Sequence, residues 1–153
     1  MSDLPRPAPD FSLPGDDGAT HSLSSLKGAP FVLFFYPRDN TAGCTKEAIA
    51  FSTLKPEFDA FGVKVFGVSK DTLTSHEKFR TKQDLTIPLL SDADSTACEA
   101  FDVWKEKKMY GKTFFGIVRS TFLVNADGQI VSEWRKVKVD GHAEAVLDAA
   151  KAL

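Results

Sequence analysis

The segment of residues 35–47 combines the residue types that thiol chemistry requires. An apolar run ends at Pro37, a polar loop follows, and a helical spacing of apolar residues begins near Cys44. A cysteine in the first turn of a helix faces free backbone amides and the positive end of the helix dipole, which favour its thiolate form. We therefore expect Cys44 to act as a nucleophile. The alternative is an inert cysteine that packs as a small apolar side chain, which its small and polar neighbours disfavour.

Two elements must position this cysteine. Residues 30–37 form an uninterrupted apolar run bounded by prolines, which predicts a strand buried on both faces in the centre of a sheet. After Cys44, apolar residues recur at helical spacing, and Thr41 lies where a helix cap is expected. The apolar stripe consists of Ala48, Phe51, Leu54, Phe58 and Phe61. Pro56 lies within it, so we expect a kink or a restart of the helix there.

The remainder of the chain alternates strand and helix signals. Strands are expected over residues 63–69, 87–92, 120–124 and 129–134, with an N-terminal hairpin made of residues 11–13 and 21–23. Helices are expected over residues 73–82, 96–101 (capped by Asp94 and Ser95) and 141–152, and a lysine-rich loop over residues 104–118. This order predicts an α/β fold with a mixed central sheet, helices on both faces and an N-terminal β-hairpin. We expect one domain over residues 1–153.

Composition excludes several classes of protein. The chain has 153 residues, with 19 Lys+Arg against 21 Asp+Glu, and this balance argues against nucleic-acid and membrane-surface proteins. Its 42% hydrophobic content, with 13 Phe, is enough to bury a core. It has no apolar run of about 18 residues and no secretion signal at its start. We therefore expect a soluble, cytoplasmic protein.

Metal-ligating residues are scarce. The chain has 2 Cys and 3 His, too few for a disulfide scaffold or a four-thiolate zinc site. His21, His76 and His142 stand far apart in the sequence, and we interpret them as solvent-facing. We expect neither a metal nor another cofactor. The second thiol, Cys98, shares an apolar helix face with Phe101, which favours a packed core residue.

Pro37, Thr41 and Cys44 reproduce the spacing P-x-x-x-T-x-x-C that marks peroxiredoxins. Residues 111–124 resemble the loop and strand that carry the arginine of that family's active site. Together with Ser91-Asp92 and the turn at residues 125–128, these features resemble the bacterioferritin comigratory protein (peroxiredoxin Q) subfamily over nearly the whole chain. The resemblance implies a thioredoxin-like fold and the reduction of hydrogen peroxide or organic hydroperoxides.

The resemblance also implies a role for each matching residue. Cys44 would attack a peroxide oxygen and become sulfenic acid, with the hydroxyl of Thr41 aimed at thiolate and peroxide. Pro37 would shield the site from water. Arg119 would favour the thiolate and stabilise the leaving oxygen, whereas without the resemblance it is an ordinary surface arginine. Glu47, one helical turn after Cys44, would orient Arg119 or else lie on a solvated helix face.

The chain departs from the subfamily in how sulfenic acid is returned to thiol. Many members carry a resolving cysteine five residues after the reactive one, where this chain has Ile49, and others place it in the helix that here spans residues 73–82 without a cysteine. We therefore expect a one-cysteine enzyme with an external reductant such as thioredoxin, glutaredoxin or a small thiol. The alternative is a two-cysteine enzyme in which Cys98 resolves Cys44.

A different function on the same fold is the main alternative to a peroxidase. A thioredoxin-like disulfide oxidoreductase would carry C-x-x-C, but Cys44 is followed by Thr-Lys-Glu. The family resemblance suggests a monomer. We expect Phe35, Tyr36 and Trp104 to bound the peroxide pocket, unless they are plain core residues. The lysines of residues 104–118 fit a solvated loop better than a patch for an anion or partner, because Glu106 lies among them.

Overall fold

The computed structural model describes residues 4–153. Its strands, in chain order, are β1 (Arg6–Pro7), β2 (Ser12–Pro14), β3 (Thr20–Ser22), β4 (Phe31–Phe35), β5 (Lys64–Ser69), β6 (Leu89–Ser91), β7 (Trp104–Met109), β8 (Lys112–Ile117), β9 (Ser120–Val124) and β10 (Gln129–Arg135). Its helices are α1 (Leu23–Leu26), α2 (Ala42–Ala60), α3 (Leu73–Gln83), α4 (Thr96–Ala100) and α5 (His142–Lys151). No helix within the described range is long and apolar enough to cross a membrane.

Six of these strands form the central sheet, in the order β1-β10-β9-β4-β5-β6. β4 pairs in parallel with β5 and antiparallel with β9, and β5 pairs in parallel with β6. The sheet is therefore mixed, and the apolar run at residues 30–37 forms the central buried strand that its composition predicts. The N-terminal hairpin β2–β3 and the hairpin β9–β10 are also confirmed.

Side chains of β4 alternate between two separate cores, one on each face of the sheet. Phe31, Leu33 and Phe35 join the core that contains α4 and Cys98, which we call the α4 face. Val32, Phe34 and Tyr36 join the core that contains Cys44 and residues of α2, α3 and α5, which we call the α2 face. The central sheet thus lies between the two cysteines of the chain.

Helix α2 runs without a break through Pro56, so the restart expected there is wrong. A proline inside a helix leaves the carbonyl four residues earlier without its amide donor. Here that carbonyl belongs to Ser52, and the hydroxyl of Thr86 donates to it at 3.2 Å. This substitute hydrogen bond explains how the helix tolerates the proline.

The expected loop at residues 104–118 is instead a two-stranded antiparallel arm, β7–β8, outside the central sheet. Tyr110 and Gly111 link the strands, and both have positive φ, 52° and 75°. Two successive residues of that kind form the tight turn that suits the twist of a hairpin. We call residues 104–117 the arm.

The expected cap of α4 is also wrong in its chemistry. Ser95 precedes the helix with φ of 65°, and its side chain accepts no bond from the helix amides. The carboxylate of Asp92 accepts them instead, from the backbone of Ala97 at 3.2 Å and of Cys98 at 2.8 Å. Asp92 therefore stands next to the second thiol.

Candidate active site

Cys44 lies in the first turn of α2, directly behind the loop that leaves the central strand. Thr41 is the N-cap with extended backbone, φ −87° and ψ 154°, which makes Cys44 the third residue of the helix. The thiol is buried, with 1% of the residue exposed. The amides of this turn and the dipole of a 19-residue helix favour negative charge at this position.

Arg119 joins the thiol to a carboxylate. Its Nη2 donates to the Sγ of Cys44 at 3.3 Å, and its Nη1 donates to Oε1 of Glu47 at 2.8 Å. Arg119 lies in the short link between β8 and β9, and the amide of Val137 donates to its carbonyl at 3.0 Å. One guanidinium, placed directly before β9, thus binds two groups of α2, as the fork geometry of arginine allows.

Glu47 has one partner and one free oxygen. Its side chain is 1% exposed, and Oε2 has no hydrogen-bond partner within residues 4–153. Burial raises the pKa of this carboxyl to about 7, and the charge of Arg119 offsets only part of that rise. For Arg119, burial alone would lower the pKa, but the charges of Glu47 and Cys44 bring it above its ordinary value. The guanidinium is therefore charged throughout, whereas Glu47 gains or loses a proton near neutrality.

Gly43 is a site residue that sequence reasoning missed. A Cβ built at Gly43 would lie 3.1 Å from Nη2 of Arg119 and 4.0 Å from Val139. The guanidinium therefore packs directly over the helix backbone beside Cys44, where a side chain would push it away. A glycine in the first turn of a helix, with its cost to helix formation, was the available signal.

Thr41 and Pro37 lie in the loop before Cys44, and the contact that Thr41 makes differs from the one expected. The hydroxyl of Thr41 donates to the carbonyl of Arg38 at 2.9 Å, so its hydrogen is directed away from the sulfur. Its oxygen keeps lone pairs that can accept a hydrogen bond. Pro37 is exposed and lines an open cleft.

This cleft, of about 630 Å³, separates the loop before Cys44 from the arm. Its lining is Pro37, Arg38, Thr41, Lys70, Asp71, Trp104, Lys107, Phe114, Phe115, Gly116 and Ile117. Trp104 borders the cleft, whereas Phe35 and Tyr36 are wholly buried, so for these two the alternative of plain core residues holds. Lys107 is half-buried, and burial together with the charge of Arg119 lowers its pKa. It donates to the carbonyl of Ile117.

Cys98 sits in a different environment. It is wholly buried in the apolar core of the α4 face, and its amide donates to Asp92. Burial raises the pKa of its thiol far above the usual range, and the Asp92 carboxylate raises it further. Both effects favour the protonated thiol, which is the less nucleophilic form.

Two histidines expected in solvent are buried instead. His142 contacts the hydroxyl of Thr121 at 2.8 Å, and burial together with the charge of Arg119 lowers its pKa to about 4. His76 lies with Asp39 and Asp71 in a group whose ligand-type atoms are within 4.8 Å of one another. Hydrogen bonds already occupy these atoms, so we interpret the group as a polar network.

Fold and site together define a class: thioredoxin-like proteins that use a cysteine to reduce peroxides. The sequence profile of the AhpC/TSA family matches residues 4–133, and the chain belongs to this family.

Known peroxiredoxins are similar to this chain in sequence and in structure. The chain is 52% identical over 151 residues to peroxiredoxin Bcp of Xanthomonas campestris pv. campestris, covering 97% of this chain and 94% of that protein. It is 45% identical over 149 residues to peroxiredoxin Bcp of Bacillus subtilis, covering 97% and 95%. A solved cysteine-to-serine variant of PrxQ from Xylella fastidiosa superposes with a TM-score of 0.92 at 42% identity, covering 99% of this chain and 97% of the other. The chain has the thioredoxin-like peroxiredoxin fold and is a thiol peroxidase.

Proposed function

We propose that Cys44 is the peroxidatic cysteine and that the enzyme works in one-cysteine fashion, reducing hydrogen peroxide and organic hydroperoxides at the expense of an external thiol. The observation that carries this proposal is the bridge by which Arg119 binds both the sulfur of Cys44 and the carboxyl of Glu47. A permanent cation in contact with a buried thiol favours the nucleophilic thiolate.

The first step is a two-electron oxidation of sulfur. The Cys44 thiolate attacks one peroxide oxygen, the O–O bond breaks, and the sulfur becomes sulfenic acid. The other oxygen leaves as hydroxide or alkoxide and takes up a proton to become water or alcohol. Arg119 stabilises the charge on this oxygen as the bond breaks, because its guanidinium already lies beside the reacting sulfur.

Thr41 and Pro37 prepare the peroxide for this attack. Because the hydroxyl of Thr41 gives its hydrogen to the carbonyl of Arg38, its oxygen is free to accept the hydrogen of the peroxide. Pro37 offers no amide that would bind water beside the sulfur. These contacts align the peroxide with the thiolate, which is the usual source of a large part of rate enhancement.

The apolar wall of the cleft suits hydroperoxides with an organic group. Trp104, Phe115 and Ile117 of the arm face the loop that carries Pro37 and Thr41. A solved structure of the Xanthomonas campestris bacterioferritin comigratory protein, 51% identical with a TM-score of 0.88, is described as giving insight into alkyl peroxide reduction by that protein. We extend organic hydroperoxides to this chain on these two grounds.

Regeneration requires a thiol from outside the chain. Cys98 lies on the other face of the central sheet and is held in an apolar core, whereas a disulfide needs Cα atoms within about 7 Å. An external thiol therefore attacks the sulfenic acid, releases water and leaves a mixed disulfide, which a second thiol cleaves to restore Cys44. Thioredoxin, glutaredoxin and small thiols are the reductants we propose.

The remaining features of the proposal concern the protein as a whole. We propose that one domain over residues 1–153 carries the site and acts as a monomer in the cytoplasm, as the family resemblance suggests. The reducing state of that compartment also keeps Cys98 as a free thiol.

The intact mass of reduced protein after one equivalent of hydrogen peroxide, with and without a sulfenic-acid trap, tests the proposal. We expect wild type and Cys98→Ser both to gain one oxygen and to be trapped. Loss of two hydrogens by wild type but not by Cys98→Ser would instead establish Cys98 as the resolving thiol. Wild type that leaves peroxide unconsumed would overturn the assignment of Cys44.

A further inference from the structure

A buried polar network lies beneath the loop that precedes Cys44. Asp39, in the middle of this loop, accepts from the hydroxyl of Tyr36 at 2.6 Å through Oδ1. Its Oδ2 accepts from Nδ1 of His76 at 2.8 Å and from the hydroxyl of Ser75 at 2.8 Å. The ring of His76 is completely buried. Three elements, β4, the loop and α3, therefore meet at one carboxylate.

The hydrogen bonds of His76 identify its charge state. Nδ1 faces the Asp39 carboxylate, and Nε2 lies 2.9 Å from the carbonyl oxygen of Leu90. The hydroxyl of Tyr36 is also 3.4 Å from Nδ1, but it donates its hydrogen to Asp39. The carbonyl and the carboxylate accept, so both ring nitrogens carry hydrogen and the ring is an imidazolium. The pair is a buried ion pair that links α3 and β6 to the loop.

Titration of this pair follows from the groups around it. Burial alone would lower the pKa of His76, but the hydrogen bond and charge of Asp39, with a further contribution from Asp71, raise it above the usual range. The pKa of Asp39 is lowered, because the bonds from His76 and Tyr36 outweigh its burial. The titratable groups facing the ring are Asp39, Asp71 and Tyr36, whereas β6 contributes the carbonyl of Leu90.

Asp39 is the residue that holds the loop in place. Within residues 37–41 it alone is buried, and its amide also donates to Oδ2 of Asp71 at 2.8 Å. The next residue, Asn40, has φ of 62°, a left-handed conformation that neighbouring contacts must sustain. The exposed Pro37 and Thr41 on either side therefore depend on Asp39 for their position.

We propose that His76 is a positioning residue of the peroxidase: as a buried imidazolium it fixes Asp39 and so holds Pro37 and Thr41 in register with Cys44. The proposal rests on the proposed function, in which Cys44 reacts with the peroxide. His76 touches neither sulfur nor substrate and acts through the loop. Loss of its charge frees the loop and slows sulfur oxidation.

The experiment measures the second-order rate constant for oxidation of Cys44 by hydrogen peroxide, by competition with a second peroxidase. We expect His76→Gln and Asp39→Asn each to lower this constant about tenfold or more, because small misplacements in an active site are costly. The rate constant of the double variant should be no lower than that of the slower single variant, since both substitutions remove the same ion pair. Tyr36→Phe, which keeps the ring and removes one donor to Asp39, should lower the constant about threefold.

Arg80→Gln is the matched control. Arg80 lies on the same helix and forms an ion pair with Asp16, at 2.6 and 2.8 Å, away from the loop. This variant should lower the melting temperature and leave the rate constant within twofold of wild type. A comparable loss of rate in Arg80→Gln would mean that any loosening of α3 slows the enzyme, and would overturn the specific role of His76.

Nitrogen-15 NMR of the imidazole provides a readout that loss of stability alone does not change. Wild type should show two protonated ring nitrogens at neutral pH, and Asp39→Asn should bring the titration of His76 to lower pH. Because the charge holds the loop, the ratio of wild-type to His76→Gln rate constants should approach one as pH rises through this titration. A neutral ring at pH 7, or a pH-independent ratio, contradicts the inference.

The outcomes separate the two proposals. Wild type whose Cys44 does not react with peroxide would refute the proposed function itself. Wild type that reacts at the same rate as His76→Gln, Asp39→Asn and Tyr36→Phe would leave the peroxidase intact and overturn only the role of His76. Should His76→Gln fail to fold by circular dichroism, Tyr36→Phe and the NMR titration decide the matter.

Discussion

Cys44 and Cys98 are both buried in helices next to the central sheet, yet the charges around them have opposite sign. Cys44 lies at the start of a 19-residue helix with the Arg119 guanidinium 3.3 Å from its sulfur. Cys98 lies in a five-residue helix beside the Asp92 carboxylate, within an apolar core, and the charge of Lys70 offsets only part of the effect of Asp92 and burial on its thiol. Burial is therefore common to both thiols, and the sign of the neighbouring charge is what differs between them. On the proposed function, this charge is what makes Cys44 the reactive thiol.

The largest difference between the two thiols is expected when Cys44 is replaced. Replacing it in Cys44→Ser should reduce peroxide consumption to the uncatalysed background, because no other thiol in the described structure has a cation against its sulfur. Peroxide loss in the presence of dithiothreitol measures this effect. Cys98→Ser is the control and should keep wild-type turnover. Residual turnover in Cys44→Ser would show that Cys98 is reactive despite its surroundings.

Removing the cation should have the next largest effect. Arg119→Gln is expected to lower the rate constant for peroxide reduction by about 100-fold, the usual effect of losing one stabilising donor in an active site. Arg119→Lys should lie between this variant and wild type, because lysine keeps the charge but cannot bridge Cys44 and Glu47. Stopped-flow kinetics at pH 7 measure both. Equal rates for the three proteins would deny Arg119 any part in the chemistry.

Glu47 makes the stability of the site around Cys44 depend on pH. Its raised pKa of about 7 means that the folded protein binds a proton that the unfolded chain releases near pH 4.5. The contribution of this group to the free energy of unfolding is therefore greatest below about pH 4.5 and falls as pH rises to about 7.

Glu47→Gln should flatten this slope in urea unfolding series between pH 5 and 8. Because an amide oxygen still accepts from Arg119, the peroxide rate should fall only about threefold. Glu57→Gln, an exposed glutamate of the same helix, should leave slope and rate unchanged. If the dependence of the unfolding free energy on pH is the same in Glu47→Gln as in wild type, Glu47 is ionised in the folded protein throughout pH 5 to 8.

The smallest effect is expected at Cys98. Cys98→Ala should lower the free energy of unfolding by about 1 kcal/mol through lost packing, and leave the peroxide rate unchanged within twofold. Thermal denaturation and peroxide kinetics on the same preparation measure both quantities. A slower oxidation of Cys44 in this variant would show that packing around Cys98 affects the reaction on the opposite face of the sheet.

Local sequence patterns were sufficient for the elements that bury apolar side chains. The run at residues 30–37 and the stripe of α2 gave the central strand and the main helix, because burial imposes a period on apolar residues. The arm was missed because Lys105, Glu106 and Lys107 belong to strands outside the central sheet, where no such period is imposed. Gly111 in its turn was the signal available.

The site residues also differ in whether a local sequence pattern could reveal them. The order of Pro37, Thr41 and Cys44 is legible in the sequence because the loop and the helix start are continuous. The contact of His76 with Asp39 spans 37 positions and that of Arg119 with Cys44 spans 75, so neither leaves a local pattern. Only the family resemblance indicated Arg119, and nothing in the sequence indicated His76.

The position of the sheet between the two thiols has a kinetic consequence under the proposed one-cysteine mechanism. A resolving cysteine within the same chain would act at a fixed effective concentration, whatever the medium contains. Under the proposed one-cysteine mechanism, with Cys98 on the opposite face, regeneration of Cys44 would be a bimolecular reaction whose velocity is proportional to the concentration of the external thiol. The fraction of oxidised enzyme then follows the ratio of peroxide to available reductant. Under that mechanism, the separation of the two thiols by the sheet would make the oxidation state of the enzyme depend on the thiol concentration around it.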